Sequence, residues 1–404
     1  MTRAGQANDL AAPRGTVASP RGVVELARGL APVLRQHSEQ AERASRLPEA
    51  SVAALRDAGL FRLGVPSGFG GFEAGLAMVL EVTSELARAC PSSSWVTALS
   101  YGAQHVASAF GEQVRRELWS EGPDVAMCAS LTGHRLVAAR VEGGQLLSGR
   151  WPWSSGAYQA QWAALEIPVA DEHGAVLDRA MALVPMGELW IENTWDMAGM
   201  RGTGSHTLVS DRVFVPDHRI RSLTAIIQGP TGPIEPPYRV PLGCLALTLV
   251  GPLLGMAQEV FDQTMRVVAS GKPLAASTYT HVADSPSMQA NLADAVNLID
   301  SARLHLFRSA HQVDEAATTA AELDITTRAR VRMDAGYASK CLREAVHLLL
   351  SVSGASTFSR INPVQRYWRD LETAARHPTI STELSREIYG RALVGSNDQV
   401  SYLI

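Results

Sequence analysis

Apolar residues recur at helical spacing through the first part of the chain: Val23, Leu26, Leu30 and Val33, then Val52 and Leu55, then Leu76, Val79, Leu80 and Leu86. Steps of three and four put such residues on one face of a helix, so residues 22–122 are predicted to form a helical domain. In "LPEASVAAL" Pro48 suits a helix opening, and "VPSGFGGFEAG" reads as a glycine-rich linker between helices. The period then shortens. "LVAARV", "QLLSGRW", "WAALEIPV", "MALVPM" and "HTLVSDRVFVP" are short runs bounded by Gly, Pro and Asp, which predicts a small β domain over residues 123–235. From 236 to 404 long helical patterns return, among them "ANLADAVNLIDSARLHLFRSA" and "ARVRMDAGYASKCLREAVHLLLSVSG". These are too apolar to lie alone on a surface, so they are expected to pack as a bundle and against another subunit. Residues 1–21, rich in Gly, Pro, Ser and Arg without an apolar run, are expected to be a disordered start rather than a signal peptide or membrane span.

The 404 residues, 46% of them hydrophobic, suffice for two or three packed units. Thirty-six basic and 40 acidic side chains leave a net charge of -4 with the signs interspersed, which argues against nucleic acid or an anionic membrane as partner. Cys90, Cys128, Cys244 and Cys341 lie far apart and form no C-x-x-C pair, so they read as reduced, mostly buried thiols of a cytoplasmic chain. No His or Cys spacing suits a metal, and "GVPSGFGGFEAG" neither fits G-x-G-x-x-G nor follows a strand. The chain therefore shows no nicotinamide-dinucleotide domain by sequence.

The order of helical domain, β domain and helical bundle narrows the choice, and the stretches "LPEASVAALRDAGLFRLGVPSGFGGFEA", "GMRGTGSHTLVSDRVFVP" and "NPVQRYWRDLETAARHP" narrow it further. Together they resemble the acyl-CoA dehydrogenase fold over nearly the whole chain. Within it the chain is most similar to the flavin-dependent two-component monooxygenase branch, the group D flavin monooxygenases. The resemblance implies a mainly α protein with a central β domain: an N-terminal helical domain, a small β-barrel or sandwich and a C-terminal four-helix bundle.

The resemblance also implies a site. "GRWPWSSG" would lie beside the isoalloxazine ring, with the Ser155 hydroxyl near flavin N5, Ser154 beside it, and Trp151 and Trp153 as aromatic walls. Taken alone, the same residues also suit a strand end with a hydroxyl-capped turn. Ser130 and Thr132, in "MCASLTGHRLVAARV", correspond to the flavin's pyrimidine side or form a plain turn. In "WDMAGMRGTGSHTL" the glycines allow close approach, and Thr203 and Ser205 face either the cofactor or a hairpin loop. His105 corresponds to a histidine near the substrate end of the pocket, although a lone histidine on an apolar helix is ordinarily a core residue. His377, in "AARHP", stands where dehydrogenases of the best-known pattern carry a glutamate base, leaving Glu383 as the dehydrogenase alternative. Gly354, Ala355, Arg366 and Arg369 occupy the segment that completes a neighbouring subunit's flavin phosphate site; the arginines otherwise suit ion pairs with Asp370 or Glu372.

The implied activity is a reduced-flavin-dependent monooxygenase, hydroxylating an aromatic or polyketide-like small molecule through a flavin C4a-hydroperoxide. His105, Ser155 and His377 are the implied catalytic residues, and reduced FAD or FMN and O2 are the implied cofactor and co-substrate. A separate flavin reductase, transferring the flavin by diffusion, and a homotetramer complete the expectation. Oxygenation at nitrogen or sulfur and an acyl-CoA dehydrogenase remain alternatives.

Overall fold

A computed structural model describes residues 20–170, 176–228, 234–396, 398 and 400–404. Most of the expected disordered start lies outside the described residues, but Pro20 already begins a helix. Helices α1 (Pro20–Gly29), α2 (Ala31–Ala44), α3 (Glu49–Asp57), α4 (Leu76–Ala87), α5 (Pro91–Ser108) and α6 (Glu112–Trp119) come first. Strands β1 (Met127–Ser130), β2 (His134–Val141), β3 (Gly144–Ser154), β4 (Trp162–Ala170), β5 (Val176–Pro185), β6 (Trp190–Glu192), β7 (His206–Pro216) and β8 (Ile220–Ser222) follow. The remainder is α7 (Leu223–Gln228), α8 (Val250–Ala269), α9 (Pro286–Thr319), α10 (Ile325–Ser353), α11 (Pro363–Ala374) and α12 (Thr382–Leu393). The mainly α architecture with a central β domain is the one expected.

The strands form two four-stranded sheets, ordered β1-β4-β5-β8 and β2-β3-β7-β6, with β1 parallel to β4 and the other pairs antiparallel. Leu147, Trp151, Leu165, Ala182, Val184 and Leu208 share the buried core of this domain. At its end β3 carries one extra residue: Trp151 pairs with Leu208, but Ser154 pairs with His206. Such a bulge bends a strand and re-aims its side chains. Trp153 sits in it at a φ of 64°, a left-handed conformation in which a tryptophan is rare.

Helices from the two ends of the sequence share one core, in which Leu80 and Leu86 of α4 pack with Val250 and Leu254 of α8 and Leu342 and Val346 of α10. Asp314 of α9 accepts hydrogen bonds from Leu76 N (2.7 Å) and Ala77 N (3.0 Å), a carboxylate stabilising the α4 N-terminus from a distant element. The apolar run that ends in α8 begins with tighter turns over Leu242–Leu249, where Pro252 has no N–H to offer the Thr248 carbonyl.

Helices α4 and α8 touch through backbone. A Cβ on Gly255 would lie 2.0 Å from the Ser84 carbonyl oxygen. Gly255→Val is therefore expected to force the two helices apart and to destabilise the protein by roughly 1–3 kcal/mol or more, measured by denaturant unfolding.

Candidate active site

Helix α5 is the wall against which the site is built. Ser92 closes against Gly202, where a Cβ would lie 2.8 Å from the serine Oγ, and Val96 closes against Gly156 at 3.1 Å. Between them Trp95 meets the His377 ring edge-on at 5.8 Å. One helix thus gathers the β3 end, the 200–205 turn and the loop between α11 and α12.

At the β3 end three buried hydroxyls form a chain. Ser155 Oγ lies 2.6 Å from Ser205 Oγ, which lies 2.6 Å from Thr203 Oγ1, and Thr203 donates to the Met200 carbonyl at 2.7 Å. Each hydroxyl has a single proton. The carbonyl can only accept, so Thr203 spends its proton there, Ser205 donates to Thr203 and Ser155 donates to Ser205. Ser155 is left with lone pairs rather than a proton for any further partner. The turn beneath is held by the buried carboxylate of Asp370, which accepts from Met200 N. Burial pushes the Asp370 carboxyl up to about 7, against the opposing pull of Met200 N–H and Arg366.

Beside this chain Trp153 is 56% exposed and meets Trp195 edge-on at 5.4 Å. An open indole next to an acceptor hydroxyl fits reduced flavin, whose ring faces are apolar and whose N5 carries a proton.

Both histidines are neutral. His105 is buried, with Nε2 donating to Val240 O at 3.1 Å and Nδ1 without a partner; burial pushes it down to about 4. Tyr101 and Tyr238 flank it, with ring centres 6.5 and 6.0 Å away. Ten residues of helix separate it from Trp95, roughly 15 Å along the axis, so it stands at the far end of the α5 wall from Ser155 and His377. His377 Nδ1 accepts from Thr379 N at 3.3 Å, which puts the proton on Nε2. Burial, aided by the positive charge of Arg332, lowers it to about 4, so at neutral pH His377 is a hydrogen-bond donor and not a cation.

Other expected residues are placed differently. Trp151 is fully buried in the β core, with Nε1 donating to Glu166 O, and walls no ligand. Ser154 is fully buried and donates to Trp151 O within its turn. The single Ser130 hydroxyl proton is shared between Pro152 O at 2.9 Å and Thr132 O at 3.1 Å, which brings β1 to the foot of Trp153, while the Thr132 side chain is exposed. Arg366 and Arg369 pair with neither Asp370 nor Glu372. Both reach Glu42 of α2, with Arg366 also donating to Ser38 and Arg369 to Ala198 O, and so they tie α11 to α2. Gly354 and Ala355 lie in a surface segment that continues to the exposed Phe358 and Ile361. Glu383 is exposed beside Ser381 at the start of α12, removed from any buried site. Asp370, Trp95 and Arg332 were not singled out from the sequence; their signal there is only a polar or aromatic residue among apolar helix positions.

Family models described as acyl-CoA dehydrogenase, N-terminal domain and acyl-CoA dehydrogenase, C-terminal domain match residues 25–122 and 247–382. The chain is 31% identical to the flavin-dependent monooxygenase oxygenase subunit HsaA of Rhodococcus jostii over 90% of this chain and 96% of that protein. It is likewise 31% identical to the FADH(2)-dependent resorcinol hydroxylase oxygenase component of a Rhizobium species, over 92% and 94% of the two chains. Among solved structures, XiaF from a Streptomyces species, in complex with FADH2 and glycerol, superposes with a TM-score of 0.92 at 31% identity, covering 95% of this chain and 98% of that one.

The depressed histidines have a sign that can be measured. Unfolded histidine titrates near 6.5 and folded His105 near 4, so the unfolded state takes up more protons in between, and stability from this group is lost as pH falls through that window. Comparing parent and His105→Gln by denaturant unfolding at the two ends of the window cancels the other titrating groups. The difference is expected to move towards the variant by about 3 kcal/mol on acidification.

Proposed function

The chain belongs to the acyl-CoA dehydrogenase family, in its branch of two-component flavin-dependent monooxygenases, and from that premise we propose how its own residues serve the reaction. The protein is an oxygenase component, an oxidoreductase that uses reduced flavin and O2 on an aromatic small molecule and takes its flavin from a separate reductase. Reduced flavin, when bound, activates O2 and supplies one of its oxygen atoms to the substrate.

The observation that carries the residue assignment is the polarised hydroxyl chain. With its proton committed to Ser205, the Ser155 hydroxyl offers only lone pairs, so it would hold a reduced flavin through the N5–H and would favour that form over the oxidised one. Trp153 would supply an aromatic wall for the ring, and Ser130 and Ser154 fix the turn that carries it. Trp95 excludes water around His377, whose neutral Nε2–H donates to an oxygen at the reacting end. His105 Nδ1 leaves a free acceptor at the opposite end. The exposed segment from Gly354 to Ile361 completes the phosphate end of a neighbour's flavin in a homotetramer, with Arg366 and Arg369 bracing it from within the chain. The helical, β and bundle domains meet near residues 122 and 235, and the enzyme acts in the cytoplasm.

Glu383, the base the acyl-CoA dehydrogenase reading would use, is on the surface. Oxygen uptake with chemically reduced flavin and resorcinol as a trial phenol, without any acyl-CoA, tests the choice; bleaching of oxidised flavin by acyl-CoA instead would reverse it. Ser155→Ala is expected to keep oxygen uptake but divert it to hydrogen peroxide. Ser205→Ala should bind oxidised flavin more tightly than the parent, because Ser155 then regains a proton to offer N5; fluorescence titration reads this directly. His377→Ala should lose product formation by ~10²-fold with little change in flavin affinity.

A further inference from the structure

Arg332 is the one buried arginine among the described residues. It lies on α10, 1% exposed, and among the described residues it has no carboxylate within ion-pair distance and no hydrogen bond; its Nε and Nη1 are sealed and unsatisfied. A guanidinium taken out of water without a partner costs several kcal/mol, and buried arginines are ordinarily paired. One turn further along α10, Gly336 abuts Ser381 and Ser385, and its carbonyl accepts from Thr382 Oγ1 at 2.9 Å. The helix therefore runs against the segment that follows His377. The Arg332 charge is felt both at His377 and at Cys244, in the turns that open α8. Its charge neighbours besides His377 are the Cys244 thiol and the Tyr402 phenol, and Asp334, two residues on along α10, is paired with Arg308. Among the described residues no acid neutralises this charge, whereas an anion received in a catalytic pocket would.

We propose that Arg332 is the anion-binding group of the substrate pocket and holds the ionised oxygen of a phenolic substrate beside His377. This rests on the hydroxylase reading and names its substrate class. On binding, the phenol O–H bond breaks, the electron pair stays on oxygen and the proton passes to solvent water. The guanidinium then gains the charge-assisted hydrogen bonds it lacks, with geometry suited to an oxyanion. A phenolate ring is electron-rich at the carbon next to the oxygen, the position an electrophilic oxygen atom attacks. His377, kept neutral by its burial with the arginine's charge adding to it, does not compete for the anion as a second cation.

The probe is 4-nitrophenol, whose phenolate is yellow, added to the flavin-free protein at a pH below the probe's own pKa; 4-nitroanisole, which cannot ionise, is the comparator. The parent is expected to raise the phenolate absorbance on binding and to prefer nitrophenol to nitroanisole. Arg332→Met should lose that preference by at least about tenfold, and Arg332→Lys should retain part of it. Because an unpaired charge is removed, Arg332→Met should melt no lower than the parent; a lower melting point with unchanged phenolate binding would make the arginine structural and overturn the proposal. Nitrophenol bound by the parent without ionising would overturn it too, whether or not either variant folds. Addition of oxidised FMN should leave the bound phenolate in place; displacement would assign the guanidinium to the flavin instead. Oxygen uptake with reduced flavin is read separately, so loss of the hydroxylase reading and loss of the anion site give different results.

Discussion

For the end of β3 to meet the C-terminal helices, two backbones must touch and one buried charge must hold them. A Cβ on Gly199 would lie 2.1 Å from the Arg369 carbonyl oxygen, so only glycine lets the 196–204 turn lie on α11. The Asp370 carboxyl, one residue further on that helix, then takes the Met200 N–H. From there the order passes outward: the Met200 carbonyl receives Thr203 and the Trp195 indole at 2.9 Å, Thr203 receives Ser205, and Ser205 receives Ser155. The Ser155 hydroxyl in the β domain is thus oriented by a carboxylate in the helical bundle. Neither domain holds the Ser155 proton in place alone.

That anchor has an electrostatic cost which the site turns to use. Burial raises Asp370 to about 7, so the folded protein binds a proton that the unfolded chain releases near 4; its stabilisation fades as pH rises through that interval. The depressed histidines have the opposite slope over an overlapping range. His105 and His377, both neutral at neutral pH, exchange hydrogen bonds without acting as cations, while the Asp370 carboxyl is occupied by the Met200 N–H.

The fold was legible because periodicity records which face is buried. "HTLVSDRVFVP" and "WAALEIPV" became β7 and β4, and the apolar helices of both ends merged in one core. The site was legible only in part, and for a physical reason. Ser155, His105 and His377 carry chemistry that their residue types announce, but their hydrogen-bond polarity depends on partners far away in sequence. Trp151 and Trp153 are two residues apart and look alike in the sequence; a bulge sends one into the core and leaves the other open. Arg366 and Arg369 looked free because Glu42 is more than 300 residues distant.

Arg332 shows the complementary limit. On α10 it occupies a position that the helical period assigns to the core, between Val331 and Ala335, and pattern alone would treat an arginine there as an error or an ion pair. The fold removes the ion pair and keeps the burial. A helix that tolerates this charge gives up stability that a methionine would restore, and evolution retains such a loss only where the empty side of the interaction is filled during function. The Ser155 chain and the Arg332 guanidinium are then two halves of one arrangement. One presents a lone pair to a donor, the other presents donors to an anion, and each is complete only when its ligand is bound.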